Sequence, residues 1–206
     1  MAVRGRPRNF EKDAASQAAM MTFWQRGFEE TGVDDLVRAM GISTSSLYAT
    51  FGDKEALFLS ALDLYQSTRG HYMEAVLEGA GSAREAFQRL FEITAFELTR
   101  RDQPKGCMLA LAMPTCSPEL EPLRSKLNDK RALLLGGFVK RLKAAIESGE
   151  LPISTDIDTL ADFLMTTLQG MSLQARSAMP RDKLLQVGRL ALQIWPEQAA
   201  VVGVES

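Results

Sequence analysis

The chain has 206 residues, 46% hydrophobic and 24% charged, a balance that supports a packed core and excludes a largely disordered or fibrous protein. A net charge of −2 gives no overall cationic pull toward nucleic acid, and two cysteines are too few for a disulfide scaffold. No run approaches the ~18 uninterrupted apolar residues of a membrane-spanning helix, and no charged n-region precedes an apolar h-region, so a cytoplasmic protein without membrane association is expected.

Charge is distributed more tellingly than it sums. Residues 1–54 carry seven Lys or Arg and seven Asp or Glu, yet three of the bases lie close together at the start. Arg4, Arg6 and Arg8 alternate with Gly5 and Pro7, which predicts an extended basic arm ending near Asn9. Ala15, Ala19, Met20 and Phe23 then recur at helical spacing as far as Arg26, and Gly27 is a suitable C-terminal stop. Gly32 takes the N-cap position of the next helix, with Asp35 three residues on in the capping-box position. Asp34 and Asp35 both favour the dipole of that first turn.

Leu36, Val37 and Met40 give this second helix an apolar face, and Leu47 and Phe51 give one to a third. Gly41 between them fits a position that needs positive φ, and Ser43 is the expected N-cap of the third helix. Two short helices packed face to face across such a turn have the spacing of a helix-turn-helix. The polar residues of the third helix, Thr44, Ser45, Ser46, Tyr48 and Thr50, lie away from Leu47 and Phe51 and would point into a major groove; a solvated hydroxyl-rich face is the plain alternative.

Asp53 caps a helix beginning Lys54-Glu55, with Leu57, Phe58, Ala61, Leu62 and Tyr65 at helical spacing and an expected run to about Gly79. Gly79-Ala80-Gly81 breaks the chain, and Ser82-x-x-Glu85 is a capping box for a helix carrying Phe87, Leu90, Phe91, Thr94 and Leu98. The segment from Gly106 to Met113 is apolar all round, which predicts burial on every side and makes it the expected floor of a cavity. Ser117-Pro118 should open a long helix with Leu120, Leu123, Leu127, Leu134, Phe138, Leu142 and Ile146, ending at Gly149. Gly136 and Gly137 inside it suggest close packing, or give beside a ligand. Two last helices, about Asp156 to Ser177 and Pro180 to Trp195, carry wide apolar stripes that include Leu160, Phe163, Leu164, Leu168 and Met171 on one, and Leu184, Val187, Leu190, Ala191 and Ile194 on the other. Such a pair suits a four-helix bundle made with a twin copy.

Three sets of residues, Phe23-x-x-x-Gly27-Phe28, Thr31-x-x-Asp34-Asp35-Leu36 and Leu47-Tyr48-x-x-Phe51-x-x-Lys54-Glu55-x-Leu57, occur in order and resemble the TetR family of one-component transcriptional regulators over roughly residues 10 to 60. The resemblance implies an all-α homodimer: a three-helix head over residues 1–52 with its basic arm, and a six-helix ligand-binding and dimerisation body over 53–206. It also implies that Tyr48 and Lys54 contact phosphates of a palindromic double-stranded operator, and that a small apolar effector releases a repressor from it. Gly32 departs from the Ser or Thr usual at that cap, removing one candidate backbone contact. Residues expected to line the effector cavity are Tyr65, Met73, Phe91, Cys107, Met108, Leu111 and Met113, methionines being adaptable partners for apolar ligands.

Other chemistry finds little support. His71 is the only histidine, with no partner at metal-ligand spacing, so no metal is expected. There is no nucleophile elbow, dinucleotide fingerprint or Cys/His constellation, so neither a cofactor nor an enzyme is expected. Cys107 and Cys116 read as small hydrophobes, with a thiol-based redox sensor as the alternative. From a different class, a small helical carrier or enzyme with an incidental helix-turn-helix would bind a ligand and ignore DNA.

Overall fold

In the computed structural model, residues 8–112 and 120–196 are described, with the side chains of 8–11 excepted. Among them are ten α-helices and no strand: α1 Arg8–Arg26, α2 Val33–Met40, α3 Thr44–Phe51, α4 Lys54–Tyr65, α5 Tyr72–Glu78, α6 Ala83–Leu98, α7 Met108–Ala112, α8 Glu121–Glu147, α9 Ile157–Arg176 and α10 Arg181–Ala191. Packing divides the chain into two compact units, one of Met1–His71 with Arg100–Asp129 and the other of Tyr72–Thr99 with Lys130–Ser206.

Local rules set the helix boundaries. Gly27 at φ 84° stops α1, and Gly41 at φ 66° closes α2 in the left-handed conformation that glycine adopts without a Cβ clash. The Ser43 Oγ accepts from the Ser46 amide at 3.1 Å, and Asp53 Oδ1 accepts from the Ala56 amide at 2.8 Å. At α6, Ser82 Oγ accepts from the Glu85 amide while Glu85 Oε2 accepts from the Ser82 amide, the reciprocal pair of a capping box. At α2 only half of that box exists: Asp35 Oδ2 accepts from the Gly32 amide at 3.2 Å, and glycine has no side chain to answer.

The first unit has a core in which Ala15, Ala19, Met20 and Phe23 of α1 meet Leu36 and Met40 of α2, Leu47 of α3, and Leu57, Phe58, Ala61 and Leu62 of α4. Phe23 and Phe58 meet edge to face with centroids 5.0 Å apart. Trp24 adds a polar tie, its Nε1 donating to the Gly106 carbonyl at 2.9 Å.

Three expectations need correction here. The basic arm does not extend to Asn9, because α1 already begins at Arg8. The helix from Lys54 does not run unbroken to Gly79; a π-helical turn, Gln66–Gly70, separates α4 from α5, so that seven helices follow the head among the described residues. Ser67 Oγ and Thr68 Oγ1 both donate to the Leu64 carbonyl there, at 3.0 and 2.6 Å, supplying partners where the regular ladder slips. Finally, α7 is not buried on every side. Met108, Leu109 and Ala112 are buried, but Cys107, Ala110 and Leu111 are half-buried.

In the second unit Phe87 packs edge to face on Phe138 at 5.1 Å and against Trp195 at 5.9 Å. Glu150 accepts from the Ala83 and Arg84 amides at 2.6 and 2.8 Å, a carboxylate from the loop after α8 satisfying the first turn of α6. The stripes of α9 and α10 are split between two fates. Leu160, Leu164, Leu168, Met171 and Leu184 are buried inside the protomer, whereas Phe163, Leu173, Val187, Leu190 and Ile194 stay exposed. Leu164 and Leu168 therefore belong to this chain's own core. The expected cap at Ser117-Pro118 lies outside the described residues.

Candidate nucleic-acid interface

The recognition surface is built outward from Leu47. That side chain is fully buried in the core of the first unit, where α3 packs on α2 and α4, and this fixes the rotation of α3. Thr44, Ser45, Ser46, Tyr48 and Thr50 are all exposed, and Tyr48 is 50% accessible despite its ring. All five predicted groove-facing residues of α3 are therefore open to solvent, spread around the helix on either side of the buried Leu47. Ser43, Ser45 and Ser46 also form a hydroxyl cluster, with Ser43 Oγ 2.9 Å from the oxygens of both neighbours. A hydroxyl both donates and accepts, so the cluster can reorganise around an acceptor such as a phosphate oxygen.

Acids and bases are even in number over residues 1–54, and several of the carboxylates have fixed partners. Asp35 accepts from the Gly32 amide and pairs with Arg26 at 2.9 Å, contacts that lower its pKa, the amide first. Asp53 caps α4, and Glu55 pairs with Lys126 at 3.1 Å.

Lys54, the first residue of α4, is half-buried. Its Nζ lies over the Phe28 ring, 4.5 Å from the centroid, and partial burial lowers its pKa while Glu29 pulls the other way. Arg4 and Arg6 lie outside the described residues, and Arg8 is placed only as the first residue of α1.

The predicted effector residues are distributed over both units. Tyr65 and Met108 are buried in the core of the first, where Cys107 also packs, and Leu111 is half-buried in α7. Met73 and Phe91 belong to the second unit, and Met113 and Cys116 lie outside the described residues. An open groove of about 460 Å³ in the head, lined by Met21, Thr22, Gln25, Arg26, Asp35, Arg38 and Ala39, includes none of them.

Residues 17–61 match the profile of bacterial regulatory proteins of the tetR family, and residues 85–187 match the tetracyclin repressor-like C-terminal domain. The HTH-type transcriptional repressor ComR of Escherichia coli (strain K12) is 36% identical over 195 residues, spanning 94% of this chain and 93% of ComR. The chain belongs to the TetR family. Its fold agrees with that of CifR, a TetR family transcriptional regulator solved as a cysteine mutant with 26 bp double-strand operator DNA. The TM-score is 0.87 at 42% identity, covering 93% of this chain and 100% of CifR. A TetR regulator from Rhodococcus sp. RHA1 aligns at 33% identity and TM-score 0.61, over 89% of this chain and 98% of that one. This family is one of transcriptional regulators rather than enzymes. No helix among the described residues is long and apolar enough to cross a membrane.

Within this TetR-family head one cation escapes prediction from sequence: Lys12, whose exposed side chain carries its ammonium 5.8 Å above the ring of Phe51, the last residue of α3. One lysine in an otherwise ordinary turn of α1 gives no local signal; only the tertiary approach of α1 to the end of α3 singles it out.

Proposed function

We propose that this chain is a ligand-responsive cytoplasmic repressor that binds a palindromic operator as a homodimer and leaves it when a small apolar effector binds. Residues 1–52 form the DNA-reading domain, and 53–206 form the domain that dimerises and holds the effector. The observation that carries the reading is the run of exposed polar residues on α3, a helix anchored by the single buried side chain of Leu47. Support comes from ComR, named as a repressor, and from CifR, solved on operator DNA. Two-fold symmetry places half-sites about one helical turn, ~34 Å, or somewhat more apart.

Tyr48→Ala and Lys54→Ala should each weaken binding to duplexes of any sequence without unfolding the dimer, because phosphate contacts position rather than specify. A gel-shift series against the intergenic DNA beside the gene tests this. Full-strength binding by the double variant removes both residues from the interface.

The effector half of the reading has its own test. A ~100-fold release from operator requires about 2.7 kcal/mol of coupling between the two binding events. Met108→Trp or Leu111→Trp should fill space beside α7 and blunt both effector binding and operator release. Unchanged ligand affinity and release would place the effector elsewhere, and release by thiol oxidants alone, abolished in Cys107→Ser, would instead support the redox reading.

A further inference from the structure

The groove of about 460 Å³ in the head shares no residue with α3 or with the expected effector cavity, yet its lining is chemically specific. One wall is α1, through Met21, Thr22 and Arg26; the other is α2, through Asp35, Arg38 and Ala39. Its volume falls among those of small-molecule pockets, roughly 300–1,000 Å³. We propose that this groove between α1 and α2 binds a small aromatic carboxylate, with Arg38 and Arg26 holding the anion and Met21 and Ala39 lying against the ring.

Charge within the groove is unbalanced. Both guanidinium groups converge on one oxygen, Asp35 Oδ1, with Arg26 Nη1 at 2.9 Å and Arg38 Nη1 at 3.9 Å. Asp35 Oδ2 is already engaged, accepting from the Gly32 amide at 3.2 Å. Two cations therefore share the one carboxylate among the residues lining the groove, which leaves a positive charge in excess. At 3.9 Å Arg38 is beyond hydrogen-bond reach of Asp35, and its side chain is 78% exposed, so its fork of N–H donors is open to an incoming anion. A carboxylate matches that fork with two parallel hydrogen bonds, as a neutral amide does not. Thr22 does not compete for the anion, because its hydroxyl donates to the Ala18 carbonyl at 2.8 Å.

The rest of the lining favours an aromatic acid over a bare anion. Met21 is half-buried and packed on the core of the first unit, so its side chain is held in place where it borders the groove. A thioether beside a ring is a favourable contact, and the flat face of a guanidinium accepts a ring as well. Ala39, next to Arg38, brings only a methyl group and leaves room for that ring. Water competes for charges this exposed, so the expected affinity is millimolar rather than tight.

The test needs neither operator nor effector. Full-length protein labelled at the methionine methyl carbons is titrated with sodium benzoate and followed by NMR, the Met21 resonance, one of ten, being assigned from Met21→Leu. Benzoate should shift that resonance saturably below ~20 mM, the affinity range open to so small a ligand on an exposed site. Benzamide, neutral and of the same shape, should give no saturable shift, and acetate should bind about fivefold more weakly than benzoate because it lacks the ring. Arg38→Gln, a change at an exposed position, should weaken benzoate binding at least about fivefold. Asp35→Asn should tighten it about twofold or more, because the carboxylate that competes for both guanidinium groups becomes a neutral amide. Met108→Trp, on α7 and outside the groove, should leave the titration unchanged. Absence of a saturable shift, an equal response to benzamide, or an unaltered titration in Arg38→Gln overturns the site. Unchanged or weaker binding in an Asp35→Asn variant of unaltered melting temperature overturns it too, by removing the charge argument. Should that variant fold poorly, Arg38→Gln and benzamide decide.

Discussion

Replacing Leu190 with glutamate is expected to separate the dimer into folded protomers and to lower operator affinity by ~100-fold or more, because one head alone can hold only one half-site. Leu190 is 59% exposed on α10 and Leu173 is 56% exposed on α9, in the company of Phe163, Val187 and Ile194. An apolar face of that extent on two adjacent helices suits a second copy of the chain, and a charge placed within the joint would be buried unpaired at a cost of several kcal/mol. Sedimentation at micromolar concentration reads the assembly, and circular dichroism reads the fold. A variant that stays dimeric would place the interface on another surface. Leu164 and Leu168 could not serve in this experiment. They are 0% and 5% exposed within a single protomer, so a charge there damages the chain's own core before it reaches any partner.

Gly188→Ala is expected to destabilise the second unit by about 1–3 kcal/mol, with larger residues worse, because α10 and α6 leave no room for a side chain between them. A Cβ at that position would lie 2.7 Å from Cβ and 3.1 Å from Cγ of Phe91, whose own side chain is almost fully buried. Those atoms belong to the stem of the ring rather than to a mobile tip, so relief requires the helices to part. Scanning calorimetry should show a fall of roughly 2–4 °C for each kcal/mol of destabilisation. Gly136→Ala is the matching control: a Cβ there meets nothing within 4 Å, and inside α8 alanine should be favoured by about 1 kcal/mol. Equal melting of the Gly188 variant and the wild type would mean that the approach of α10 to Phe91 is looser than the geometry indicates.

The pair of glycines in α8 shows where inference from sequence stops. Gly136 and Gly137 look alike along the chain and both suggest close packing, yet only Gly137 has a neighbour, the Leu77 Cδ1 at 3.4 Å from a built Cβ. Gly188, the glycine with the tightest surroundings of the three, carries no local sign of them. Helix propensity says that a glycine is unfavourable; it does not say what stands opposite. Phe91 is a similar case. Its place in the stripe of α6 is plain from spacing, but its neighbour comes from α10, almost a hundred residues away in the chain.

Features closed within about four residues are legible in the amino-acid order alone. The caps at Ser43, Asp53 and Ser82 and the positive-φ stop at Gly41 all depend on neighbours along one turn, so local physics decides them. Long-range packing is needed to choose which side of each wide stripe on α9 and α10 turns inward, because both sides are apolar enough to be buried and only the packing partners discriminate between them. The same holds for the π turn at Gln66–Gly70, where the hydrogen-bond register slips without a proline to announce it, and for the seating of Lys12 and Lys54 on rings contributed by other elements. An ammonium four methylenes from its backbone can reach many places, and its destination is fixed by the aromatic face that the fold brings within about 6 Å.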